Sequence, residues 1–169
     1  MSPSDAHQNA VDSAWRIHDA LVDWTGKADG KATFVFGLAT AAVTAFATLS
    51  ADLLPPDGRA PDARLLCSWA AVALLLSSSA VSLCVVLPQL DHAVTRTRWR
   101  SGFVYFGHLR HWGPDDLAQT LLTREPLPVL SQQIVDMSRI CYRKYWLVQV
   151  SIALASAGTV IAAACLFLG

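Results

Sequence analysis

LLCSWAAVALLLSSSAVSLCVVLPQL, residues 65–90, runs for twenty-six residues without a charge. About twenty apolar residues, at ~1.5 Å rise each, cross a hydrocarbon core, so this run is long enough to span a bilayer. Two others resemble it: residues 32–51 and 145–169 are uncharged over twenty and twenty-five positions. One such run could be a buried core helix. Three of them in 169 residues would need a larger core than a chain of this size builds. Composition agrees, with 53% of the chain hydrophobic and 15% charged, against about a quarter charged in soluble domains. The reading is three membrane helices.

The remaining charge gathers in residues 91–144. This segment holds eight of the thirteen Lys/Arg residues: Arg96, Arg98, Arg100, Arg110, Arg124, Arg139, Arg143 and Lys144. Residues 52–64 have only Arg59 and Arg64, and residues 1–31 have Arg16, Lys27 and Lys31. The positive-inside rule therefore puts the N-terminus and residues 91–144 in the cytosol, with 52–64 and the C-terminus outside. Asp5, Asp12, Asp19, Asp23 and Asp29, with no early apolar run, argue against a signal peptide. Residues 5–30 predict an amphipathic helix with Val11, Ala14, Ile17, Leu21, Trp24 and Ala28 as its stripe. Its polar face is more acidic than basic, which favours packing on protein, the 91–144 segment, over lying on lipid.

The expected order is a cytosolic amphipathic helix (1–31), a first span (32–51), an external loop (52–64) and a second span (65–90). A cytosolic helical segment (91–144) and a third span (145–169) follow. The fold class is an all-α membrane protein. Its three transmembrane helices carry a small cytosolic helical domain, built from the N-terminal helix and the loop between spans two and three.

Finer expectations rest on local signals. Gly37, Thr40, Thr44 and Thr48 put small or weakly polar groups near one face of the first span, as helix-packing faces do. In the third span Ser151, Ala155, Thr159 and Ala163 recur every four residues, and Gly158 and Ala162 make a second small pair. A helix is expected to continue past Pro88 through the arginine cluster to about Leu109, and a new one begins at Gly113-Pro114-Asp115-Asp116 and ends near Leu122. Pro126 and Pro128 predict a change of direction, and from Val129 a long helix runs into the third span. Its buried stripe is Leu130, Ile134, Met137 and Cys141.

Chemistry is scarce. No Asp, Glu, Lys, Arg or His lies inside a span, which removes most support for a pump or proton-coupled transporter. There is no GxSxG, P-loop or paired-carboxylate pattern, so no catalytic residue is assigned and an enzyme is not expected. His108 and His111 have H-x-x-H spacing, and His92 and Cys141 could join them. No Glu accompanies the pair as in zinc proteases, the four cysteines form no CxxC, and neither a metal nor a cofactor is expected. The basic and aromatic mixture of 91–144 has two readings. Such residues commonly fix topology and anchor the interface, and they can also bind a small phosphorylated ligand through guanidinium and ring faces.

Two places resemble a known family. Trp24-x-x-Lys27-Ala28-Asp29-x-Lys31-Ala32, followed by Gly37, is similar to the approach to the first membrane helix in the transmembrane effectors of the bacterial Pycsar antiphage system. Phe103-x-Tyr105-Phe106-Gly107-His108, and Gln132-Gln133-Ile134 leading to Lys144-Tyr145-Trp146, resemble that family's Y-F-G segment and the helix before its last span. The resemblance implies that the cytosolic part binds cyclic CMP or cyclic UMP made by a partner pyrimidine nucleotide cyclase. The membrane helices then impair the bacterial inner membrane, and the infected cell dies before phage mature. Nucleic acid is not an implied partner, and a homo-oligomer is expected. The resemblance carries over no ligand set; the candidate ligand residues chosen from this sequence are Asp29 and Lys31 at the membrane entry, Tyr105 and His108 in the aromatic motif, and Arg139, Arg143 and Lys144 on the helix leading into the third span. The competing expectations are a ligand-independent, holin-like toxin and a structural subunit of a membrane complex.

Overall fold

A computed structural model describes residues 2–49, 63–87 and 99–167. The described residues contain helices and no strand. Helix α1 runs from Pro3 to Leu49, α2 from Ala63 to Val86, α3 from Phe106 to Leu109, α4 from Pro114 to Thr123 and α5 from Pro126 to Phe167, with a 3₁₀ turn at Trp99–Ser101. Helices α1, α2 and α5 are long and apolar enough to cross a membrane. The protein is an all-α, multi-pass membrane protein, with three such helices among the described residues.

The chain divides into two compact units. The first comprises Met1–Gly26 and Pro88–Tyr142, the second Lys27–Leu87 and Arg143–Gly169. Helices α1 and α5 each contribute residues to both.

In the second unit, α1, α2 and α5 run up, down and up. Phe46, Ala71, Ala162 and Cys165 form a buried cluster near one end, and Ala32, Val85 and Val148 form another near the opposite end. Between them the helices meet closely. A Cβ on Gly158 would lie 2.9 Å from Leu75 Cγ and 3.2 Å from the Ala71 carbonyl oxygen, so glycine sets the approach of α5 to α2. The Ser78 hydroxyl crosses the same contact and donates to the Ser151 carbonyl at 2.7 Å, with both residues fully buried. Large apolar side chains such as Phe34, Leu38, Leu76 and Val160 face outward, an arrangement untenable in water and natural against lipid. Exposed Trp69 lies toward the Ala71 end and exposed Trp146 toward the Val148 end, where tryptophans anchor helices at the two interfaces.

The small-residue face expected on the first span packs against no described residue of another helix. A Cβ on Gly37 would meet nothing within 4 Å, and Thr40 and Thr44 are exposed and donate to carbonyls of their own helix. Ala32, Val35, Ala39 and Phe46 form the buried face instead.

In the first unit, the buried apolar residues among those described are Val11, Ala14 and Leu21 of α1, Phe103, and Leu130 and Cys141 of α5. Ile17 and Trp24, expected in the same stripe, are half exposed. Three helix limits depart from expectation. The amphipathic helix and the first span are one helix, because Gly26 and Gly30 are accommodated without a break. Helix α5 begins at Pro126, not Val129, since both prolines fall in its first turn, where backbone N–H groups have no helical acceptor. The expected helix to Leu109 is interrupted after the 3₁₀ turn, and its stretch from Pro88 to Arg98 lies outside the described residues.

Candidate functional site

The sequence-predicted residues divide between the units. In the second unit, Lys144 of α5 donates to Asp29 Oδ1 of α1 at 2.6 Å. The Lys144 side chain is 11% exposed and that of Asp29 35%, so the ammonium is nearly enclosed and its counter-charge reaches solvent. At the next residue of α5, the Tyr145 ring centre stands 5.2 Å from the Lys31 ammonium, within cation–π range. Asp29, Lys31, Lys144 and Tyr145 therefore link α1 to α5. Arg143 is exposed.

In the first unit, Tyr105 and His108 are together. Their rings meet edge to face at 5.4 Å. Tyr105 has extended backbone (φ −82°, ψ 129°) and caps α3, and its carbonyl accepts from the His108 and Leu109 amides. Its ring lies over Gly107, where a Cβ would collide with it, and His108 in turn covers Gly102, so the Tyr-Phe-Gly segment closes on small residues. Burial, and then the neighbouring His111, push the His108 pKa below its ordinary 6.5. Arg139 is exposed and pairs with Asp136 of its own helix at 3.5 Å. Nothing in this set gathers around a metal: the described residues hold no cluster of three His, Cys, Asp or Glu.

The same unit contains a polar cleft of about 380 Å³ that the sequence reading did not single out. Trp99 and Arg100 of the 3₁₀ turn and Trp112 form one wall, and Asp116, Gln119, Thr120 and Thr123 of α4 form the other. The two indoles stand at 87° with centres 5.3 Å apart. The Arg100 guanidinium lies 5.0 Å from the Trp99 ring. Two hydrogen bonds fix these parts: Trp112 Nε1 donates to the Gly102 carbonyl at 3.1 Å, and Arg124 Nη1 to the Arg100 carbonyl at 2.9 Å. Pro114 at the start of α4 and Gly113 before it set the helix's direction, and the spacing from Asp116 to Thr123 then aligns its polar groups on one face. Among the described residues the arrangement offers aromatic faces, one cation, and acceptors and donors opposite them.

A protein-family model described as PycTM, a Pycsar effector protein domain, matches residues 13–169. The chain belongs to that family. No curated protein and no solved structure matches it closely enough to be counted a relative. The PycTM match runs through both compact units and covers Asp29, the Tyr105-Phe106-Gly107 segment and Lys144. Membership makes the protein an effector of antiphage defence, and that family is not known as a family of enzymes.

Proposed function

We propose that this PycTM member is a non-enzymatic effector gated by a cyclic pyrimidine nucleotide. The unit holding residues 88–142 binds cyclic CMP or cyclic UMP made by a partner cyclase. The three-helix unit then impairs the bacterial inner membrane, and the infected cell is lost before phage mature. The observation that supports this reading is the extent of the family match, which takes polar unit and membrane helices together as one device. Helices α1 and α5 suit it, because each contributes residues to both units. The N-terminus and residues 91–144 are read as cytosolic, where such a messenger is made.

The test is thermal unfolding of the detergent-solubilised protein with each nucleotide, paired with a membrane-potential dye in cells. Cyclic CMP or cyclic UMP should raise the unfolding temperature, and 5′-CMP and 5′-UMP should not. Depolarisation should require an active cyclase. A folded protein that responds to no cyclic nucleotide would sink the reading. Depolarisation on expression alone would make the protein a ligand-independent toxin.

A further inference from the structure

We infer that the cleft between the Trp99–Arg100 turn and α4 is the nucleotide site, and that it selects a singly charged, cyclic nucleotide. This rests on the gated-effector reading above and adds the location and the basis of selectivity. A cyclic nucleotide presents three things to a protein: a flat aromatic base, one delocalised negative charge, and a base edge of donors and acceptors. The cleft answers each of them. Trp112, held by its bond to the Gly102 carbonyl, provides an indole against which a base can stack. Arg100 provides the cation. Its guanidinium has no carboxylate partner among the described residues, and Arg124 fixes the turn that carries it. Asp116 and Gln119 supply an acceptor and an amide for the base edge or ribose.

The charge count decides between ligands. Among the described residues one arginine and one carboxylate line the cleft, so their formal charges cancel. A cyclic phosphodiester carries a single charge that Arg100 can match by a charge-assisted contact. A linear 5′-monophosphate is a further half to one charge more negative at neutral pH, with its second ionisation near pH 6. That excess faces the Asp116 carboxylate with no second cation among the described lining residues. Nucleoside di- and triphosphates fare worse on the same count. Asp116 is thus the residue that rejects linear nucleotides.

The experiment is calorimetric titration of the full-length protein in detergent at pH 7.5 with cyclic CMP, cyclic UMP, 5′-CMP and 5′-UMP. Arg100, Asp116 and Gln119 are exposed, so variants there should keep the wild-type unfolding temperature. Arg100→Gln is expected to weaken cyclic nucleotide binding about 10–100-fold, the range for a lost charge-assisted bond. Gln119→Trp fills the cleft and should abolish binding. Asp116→Asn should narrow the gap between cyclic and linear forms several-fold, while Arg16→Gln, exposed on α1 and outside the cleft, should bind like wild type. Wild-type binding by both Arg100→Gln and Gln119→Trp would overturn the placement and leave the gated-effector reading intact. An unchanged cyclic-to-linear ratio in Asp116→Asn would overturn the charge selection. Failure of the folded wild type to bind any cyclic nucleotide would overturn both readings.

Discussion

At the scale of single residues, the Asp29–Lys144 pair is unequal, and the inequality can be measured. Lys144 is nearly enclosed, whereas Asp29 keeps about a third of its side chain in solvent. Removing Asp29 leaves an ammonium without its counter-charge. Removing Lys144 leaves a carboxylate that water can still reach. Fully buried pairs lose about 3–5 kcal/mol when one partner goes, and exposed pairs contribute about 0–1 kcal/mol. Solvent screening at Asp29 places Asp29→Asn between these limits, at about 1–3 kcal/mol of destabilisation. Lys144→Met should cost less, and the double variant should recover part of the Asp29→Asn loss. Denaturant unfolding of the four proteins in one detergent, without nucleotide, measures the coupling. Strictly additive effects would show that the 2.6 Å contact contributes little to stability.

At the scale of helices, the informative contrast is between glycines. Gly158 sits where α5 touches α2, with Leu75 and the Ala71 carbonyl in the way of any added carbon. Gly37 on α1 has no described residue of another helix within 4 Å of an added Cβ. Gly158→Leu should therefore separate α2 from α5, breaking the Ser78–Ser151 bond along with the packing. Gly37→Leu should be nearly neutral. Interhelical hydrogen bonds in membranes average ~0.6 kcal/mol, so Ser78→Ala alone should lower the unfolding temperature only slightly. The expected order of stability is wild type and Gly37→Leu, then Ser78→Ala, then Gly158→Leu. Thermal unfolding in matched detergent reads it directly, and a Gly158→Leu protein as stable as wild type would refute the packing. In sequence, both glycines lie in apolar runs beside small residues. Only the up-down-up arrangement tells which face of each helix has a neighbour.

At the scale of the molecule, the spans were legible because twenty uncharged positions have few physical meanings, and α2 covers residues 65–86 of the 65–90 run, whose last three residues lie outside the described ones. The α4 start was legible in Gly113-Pro114-Asp115-Asp116 for the same kind of reason, a local signal with a local cause. The interruption after Trp99–Ser101 was not, because the close approach of His108 to Gly102 is a tertiary contact. The cleft was hidden too. It joins residues 99–100 to residues 112–123, and the polar face of α4 reads in sequence as a solvated face. Orientation is the property that charge alone decides. Eight of thirteen basic residues lie in 91–144, against two in 52–64, so the N-terminus should be cytosolic and the C-terminus external. A periplasmic-active phosphatase fused at the C-terminus should therefore be active in cells. In a cysteine-free background, Ser4→Cys should resist a membrane-impermeant maleimide until the cells are opened. Cys67 and Cys84 are exposed, so that background is required. Three spans place the termini on opposite sides, which separates two failures. An inactive phosphatase with a labelled Ser4→Cys would invert the orientation and keep the spans, whereas both termini on one side would refute the three-span reading itself.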